Sequence, residues 1–172
     1  MAAMPTSQLV LRALVLLGPL VALLATGPAG HWPPWWVVAP VLALAAGFAA
    51  LPDSSLGVAV FLVVLGWWAI SLPDDLQPEI LLAATALVVA HVAALLASYG
   101  PAAMPLDVAT VRLWLRRGAL VLLTVPAVWA LARLLRGEPE QPGIWVLGVV
   151  AALVATVAAT VALGTARPGG AR

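Results

Sequence analysis

Residues 80–98 read ILLAATALVVAHVAALLAS. The run holds no Asp, Glu, Lys or Arg, and its one ionisable group is His91. A helix needs about 20 mainly apolar residues to cross about 30 Å of hydrocarbon at 1.5 Å per residue, and this stretch meets that requirement. Its apolar residues are continuous, without the in-out alternation of a barrel strand. It is bounded by Glu79 on one side and by Tyr99-Gly100-Pro101 on the other. The same pattern, an apolar run closed by Pro, Gly or charge, recurs along the chain. It predicts six spans: Leu9–Thr26, Trp36–Leu51, Leu56–Leu72, Ile80–Ser98, Gly118–Leu135 and Ile144–Gly164.

Composition agrees with an all-α polytopic bundle. Of 172 residues, 64% are hydrophobic and 9% charged, and the mean hydropathy is +1.11. An ordinary soluble domain is about half apolar and a quarter charged. Disorder requires the opposite balance, and the lack of cysteine removes a disulfide framework. A formal charge of +1 offers no basic field for nucleic acid. The chain therefore reads as one transmembrane domain over 1–172, with a short basic tail at 165–172 and membrane lipids around it.

The separators Gly27-Pro28, Pro33-Pro34, Pro52-Asp53, Pro73-Asp74-Asp75, Gly100-Pro101 and Gly137–Gly143 combine helix breakers with solvated charge. Trp36–Leu51 and Leu56–Leu72 are short and only Pro52–Ser55 parts them, so the pair is either a hairpin of two spans or a re-entrant element. Both leave the downstream topology unchanged. Arg12, Arg112, Arg116, Arg117, Arg167 and Arg172 fall on one side of the six-span arrangement and only Arg133 and Arg136 on the other. By the positive-inside tendency both termini are cytoplasmic in a bacterial plasma membrane. A second reading of the N-terminus is a cleaved signal, since Ala13–Leu24 follows Arg12 and ends at Ala25-Thr26-Gly27; five spans would then remain.

Leu51-Pro52-Asp53 recurs as Leu72-Pro73-Asp74, a proline that ends one helix and an Asp able to cap the next, rather than a duplicated span. Small residues step by four at Ala39, Ala43 and Gly47, at Ala86, Ala90, Ala94 and Ser98, and at Ala152, Thr156, Thr160 and Gly164. Such columns let helices approach closely in lipid. Pro19 and Pro126 fall inside spans and read as static kinks.

A candidate intramembrane polar site is His91 with Thr124 and Thr156 at similar predicted depth. On a helical wheel His91 borders the Ala83, Ala90, Ala94 column, opposite Leu82, Val89 and Leu96, which predicts that it points into the bundle. A histidine there either relays protons or binds a polar group, or is neutral and hydrogen-bonded within the fold. The threonines are expected to bond their own i−4 carbonyls. Asp74, Asp75 and Glu79 form an acidic loop that reads as a solvated helix start rather than a magnesium site, since there is a single cluster and Pro78 opens the next helix. Trp32, Trp35, Trp36 and Trp145 read as interfacial anchors. Arg112, Arg116 and Arg117, interleaved with Val111, Leu113, Trp114 and Leu115, suggest a short interfacial amphipathic helix over Leu106–Arg117 that meets lipid headgroups or docks a cytoplasmic partner.

No Walker A loop, His-Glu-x-x-His or Gly-x-Ser-x-Gly is present, and no cofactor or metal is expected. All basic residues are arginine, and with the Pro-Asp turns, the HWPPWW start and the Arg112–Arg117 step the chain resembles small multi-span membrane proteins of high-GC actinobacteria. Some of those are encoded near MoxR-type AAA ATPases. The resemblance implies a membrane subunit serving such an ATPase, and carries over no catalytic residue. The first expectation is accordingly a non-enzymatic membrane subunit or scaffold, with a membrane protein, a cytoplasmic ATPase or a second copy as partner. The alternatives are a small-solute, ion or lipid transporter using His91, and, last, a lipid-modifying enzyme using Asp74, Asp75 and Glu79.

Overall fold

The computed structural model describes residues 5–72, 76–98 and 108–135, together with Val150, Val154 and Val157. Among them there are five helices and no strand: α1 (Thr6–Leu24), α2 (Trp35–Ala50), α3 (Leu56–Ser71), α4 (Glu79–Ser98) and α5 (Val108–Leu134). The chain divides into two compact units, Met1–Leu134 and Leu135–Arg172. All five helices belong to the first; in the second, Val150, Val154 and Val157 are helical and exposed.

Boundaries of α1, α2 and α3 answer to local sequence causes. Pro5 and Pro34 stand in extended conformation immediately before α1 and α2, and their carbonyls accept the first backbone N–H groups of those helices. This suits a residue whose φ is fixed and which has no donor of its own. Leu51 and Leu72, each followed by proline, leave the helical region and end α2 and α3. The turn between α1 and α2 is closed by Gly30, whose φ of 90° favours a residue without Cβ. Pro19, Pro40 and Pro126 lie inside α1, α2 and α5, which continue through them.

The span count is seen only in part, and two local expectations need correction. Three helices, α1, α4 and α5 over Val111–Leu134, are long and apolar enough to cross a membrane. α2 and α3 have 16 residues each, a rise of about 24 Å against about 30 Å of hydrocarbon. The run Ile144–Gly164 lies outside the described residues apart from its three valines, so five helices rather than six spans are seen. The basic segment also forms no separate interfacial helix, because α5 starts at Val108 and runs without a break through Arg117 and Gly118. Nor does Asp53 cap α3; Ser55 is the N-cap residue, without a side-chain cap bond.

α1 is the centre of the packing, touching α2, α3 and α4, and α5 joins through α4. Val15, Ala22 and Leu23 of α1 are buried against Val41, Ala45 and Phe48 of α2, Val60 and Val64 of α3, and Ala83, Ala93 and Ala94 of α4. In lipid such contacts act through close packing rather than water exclusion. α1 and α4 approach closely at Gly18: a Cβ built there would lie 2.5 Å from the Ala90 Cβ and 2.8 Å from the Ala86 carbonyl oxygen. The Ala86–Ala90–Ala94 column is thus an internal seam. The matching column on α2 is not, since Ala39 and Ala43 are exposed and α2 packs through Val37, Val41, Ala45 and Phe48.

Cross-contacts fix the helix directions. Arg12 near the start of α1 meets the last turn of α2, and Ala22 near the end of α1 meets Trp68 near the end of α3. Leu11 and Leu14 share a cavity with Ala93 and Leu96 of α4, and Gly118 of α5 lies against Val92. One end of the first unit therefore carries Arg12, the 51–55 turn, Ser98 and Arg112. The other carries the Thr26–Pro34 turn, Trp67, Trp68, Glu79 and Trp129.

Candidate functional site

The site is the part of α4 left uncovered between α3 and α5. His91 lies on it, one residue step, about 100°, around the helix from the buried Ala90. Instead of pointing into the bundle it is exposed, and its ring packs against Phe61 of α3 with centroids 6.4 Å apart. Leu96, assigned by the wheel to the opposite face, is buried. The wheel errs because the buried face of α4 is set by the close approach at Gly18 and takes in Ala93, Leu96 and Ala97 as well as the alanine column.

Two open clefts meet at His91, Phe61 and Leu95. The first, about 400 Å³ between α3 and α4, has Asp53, Ser54 and Ser98 at its mouth and Phe48 and Phe61 inside. The second, about 480 Å³ between α4 and α5, is walled by Phe61, Leu87, Val88, Val92, Trp114 and Val121, and its lining side chains bearing N–H groups are His91, Arg117 and the Trp114 indole. The Arg117 guanidinium stands 5.5 Å from the Trp114 ring centroid, within the range of a cation–π contact. No carboxylate lines this second cleft among the described residues. An imidazole keeps at least one N–H donor in either tautomer and arginine keeps five, so the cleft offers donors to an acceptor and has an apolar lining for the rest of a ligand.

The other predicted polar residues do not join His91. Thr124 is exposed, its hydroxyl donates to the Val121 carbonyl at 2.6 Å, an i−3 rather than i−4 bond, and it lines a different cavity with Ile80, Leu81 and Trp129. Thr156 lies outside the described residues, as do Trp145, Asp74 and Asp75. Glu79 opens α4, with a buried Oε2 that has no partner. No group of three His, Cys, Asp or Glu side chains suited to a metal occurs among the described residues.

Arg112 and Arg116 part company with Arg117. With Leu120 and Leu123 they follow steps of three and four residues along the exposed face of α5 turned away from α4, whereas Arg117 flanks the cleft. Trp35 and Trp36 are exposed at the start of α2 and Trp32 in the turn before it; Trp32 also stacks its ring over Gly27, and Trp36 meets Trp67 edge to face at 6.2 Å.

Residues not singled out from the sequence also shape this region. Phe61 belongs to both clefts, but within an apolar run nothing distinguishes it. Trp67 and Trp68 bind the end of α1: the Trp67 indole N–H donates to the Thr26 hydroxyl at 3.2 Å and that of Trp68 to the Ala22 carbonyl at 2.9 Å. The adjacent pair at the end of a span was the available signal. Gln8, wholly buried in α1, has neither side-chain polar atom hydrogen-bonded. No protein-family model, no curated protein and no solved structure matches the chain.

Proposed function

We propose that this chain is a non-enzymatic integral membrane protein of the bacterial cytoplasmic membrane, acting as an embedded subunit or scaffold of a larger complex. The observation that carries the reading is the outer face of α5, where exposed Arg112 and Arg116 continue into exposed Leu120 and Leu123. Arginine on a lipid-facing surface is expensive unless it reaches the interface or a partner. A column of two arginines above leucines suits an acidic partner at the Arg12 end of the bundle, with apolar contact below it.

In this reading α2 and α3 cross as a hairpin of short spans. Trp32, Trp35, Trp36, Trp67 and Trp68 gather at its open end, which supports an aromatic belt there; local bilayer thinning accommodates the shortfall in length. Arg12, Arg112 and Arg116 at the opposite end support cytoplasmic termini, and the central packing of α1 supports its retention as a span. The transporter reading rests on His91, which is exposed, and Thr124, at similar predicted depth, lines a different cavity; this weighs against a shared polar path through the two.

The test is purification of the tagged chain from its native membrane in mild detergent, with mass spectrometry of whatever remains in stoichiometric amount. The expected result is a defined partner, or a second copy, whose yield falls in Arg112→Ala/Arg116→Ala while insertion is unchanged. A homogeneous single chain, or a yield indifferent to that variant, overturns the proposal.

A further inference from the structure

We infer that the cleft between α4 and α5 is a binding site for one anionic glycerophospholipid, its phosphate held by Arg117, a glycerol ester carbonyl by His91, and an acyl chain by the apolar wall below. The inference rests on membrane embedding but not on the partner proposed above.

The contact between Gly118 and Val92 sets the depth of each group. α4 and α5 run antiparallel through that point, so Trp114 is level with the last turns of α4, and Arg117 lies one residue nearer that end than Gly118. His91 lies one residue deeper than Val92, and Val121, Val88 and Leu87 lie deeper still. Descending from the Arg12 end, the cleft therefore presents an indole, a guanidinium, an imidazole and then hydrocarbon. A glycerophospholipid descends in matching order: charged phosphate, neutral ester carbonyls, acyl chain. Guanidinium suits phosphate through a fork of donors, an imidazole N–H suits a carbonyl acceptor, and a long arginine side chain reaches up toward the headgroup level.

Charge complementarity favours an anion here over a cationic or neutral ligand. No carboxylate lines the cleft among the described residues, and none pairs with Arg117 there; its interaction is with the Trp114 ring, which leaves the edge donors of the guanidinium for an anion. The volume of about 480 Å³ falls within the ordinary range of small-molecule sites, about 300–1,000 Å³. The lining is otherwise apolar, which suits a lipid tail and offers free inorganic phosphate little to offset its desolvation.

The experiment is native mass spectrometry of the full chain in mild detergent, titrated with phosphatidylglycerol, with diacylglycerol of the same acyl chains, and with inorganic phosphate as competitor. The unmodified chain should retain a single phosphatidylglycerol, retain diacylglycerol at least about tenfold less, and keep its lipid in the presence of phosphate. Arg117→Gln should lower phosphatidylglycerol retention about tenfold, His91→Phe by a smaller factor, and Arg112→Gln/Arg116→Gln should leave it unchanged. Equal retention of the two lipids by the unmodified chain overturns the inference, and that comparison needs no variant to fold. Displacement by phosphate would assign the site to a free anion instead. Equal losses in Arg117→Gln and in the Arg112/Arg116 variant would reduce it to general surface charge. Partner yield is read separately, so an unmodified chain that keeps its partner but retains no phosphatidylglycerol refutes this inference alone.

Discussion

The Arg12 guanidinium closes the end of α2: one terminal nitrogen, Nη1, donates to the Ala49 carbonyl at 2.7 Å and to the Ala50 carbonyl at 2.9 Å. The last carbonyls of a helix have no partner within it, and a cation there also meets the negative end of the helix dipole. α2 has no basic residue of its own in its last turn, so α1 supplies the cation across the helix contact. Hydrogen bonds to charged groups contribute about 1.5–3 kcal/mol. Arg12→Met, which keeps the aliphatic stem, should lower stability by about 1–3 kcal/mol, and Arg12→Lys should recover part of it. Thermal unfolding in detergent followed by circular dichroism measures both; an Arg12→Met chain that melts with the wild type would remove the cap from the account.

Gly18 and Gly66 make opposite predictions for the same substitution. A methyl group on Gly18 meets Ala90 and the Ala86 carbonyl, whereas nothing lies within 4 Å of one on Gly66. Replacing a mid-helix glycine by alanine gains about 0.5–1 kcal/mol in backbone terms, and overpacking a close contact costs about 1–3 kcal/mol. The contact wins at Gly18, where Gly18→Ala should melt lower, and is missing at Gly66, where Gly66→Ala should melt at the same temperature or higher. A Gly18→Ala chain more stable than Gly66→Ala would contradict the seam between α1 and α4.

The helices were legible because proline and the residue before it act locally: Pro34, Leu51 and Leu72 define boundaries through their own φ and ψ. The α4 seam was legible for a similar reason, since only small side chains at Ala86 and Ala90 admit a neighbouring backbone. Which side of His91 the neighbours would leave open was not. Its exposure depends on α3 and α5 flanking α4 without closing over it, a property of three helices rather than of one wheel. Arg12 read only as one of the arginines that set orientation because its acceptors lie in another helix, and the Arg112–Arg117 step read as one unit because the wheel position that turns Arg117 toward α4 has meaning only once α4 is beside it.

Trp68 should matter more than Trp67. The Trp68 N–H satisfies the Ala22 carbonyl in the last turn of α1, which has no following helical N–H, at 2.9 Å. Trp67 reaches only a hydroxyl, at 3.2 Å, that already donates to the Leu23 carbonyl. Trp68→Phe should cost about 0.5–1.5 kcal/mol for the lost bond, and Trp67→Phe less. Paired melting curves test the order, and Trp67→Phe as the more damaging change would reverse the assignment of which indole holds the end of α1.

Gln8 predicts a gain on removal. Its side chain is wholly buried near the start of α1, and neither its Nε2 nor its Oε1 has a hydrogen-bond partner. A buried amide left unsatisfied costs about 1–3 kcal/mol, while an apolar group of similar volume restores the packing without that penalty. Gln8→Leu should therefore raise the melting temperature of the isolated chain, the reverse of what most core substitutions do. Gln8→Ala separates the two contributions, since it relieves the polar penalty but opens a cavity and should fall below Gln8→Leu. If Gln8→Leu instead melts lower than the wild type by the amount expected for a lost hydrogen bond, the amide has a partner in solution, and hydrogen exchange at its side-chain NH₂ would show protection in the wild-type chain.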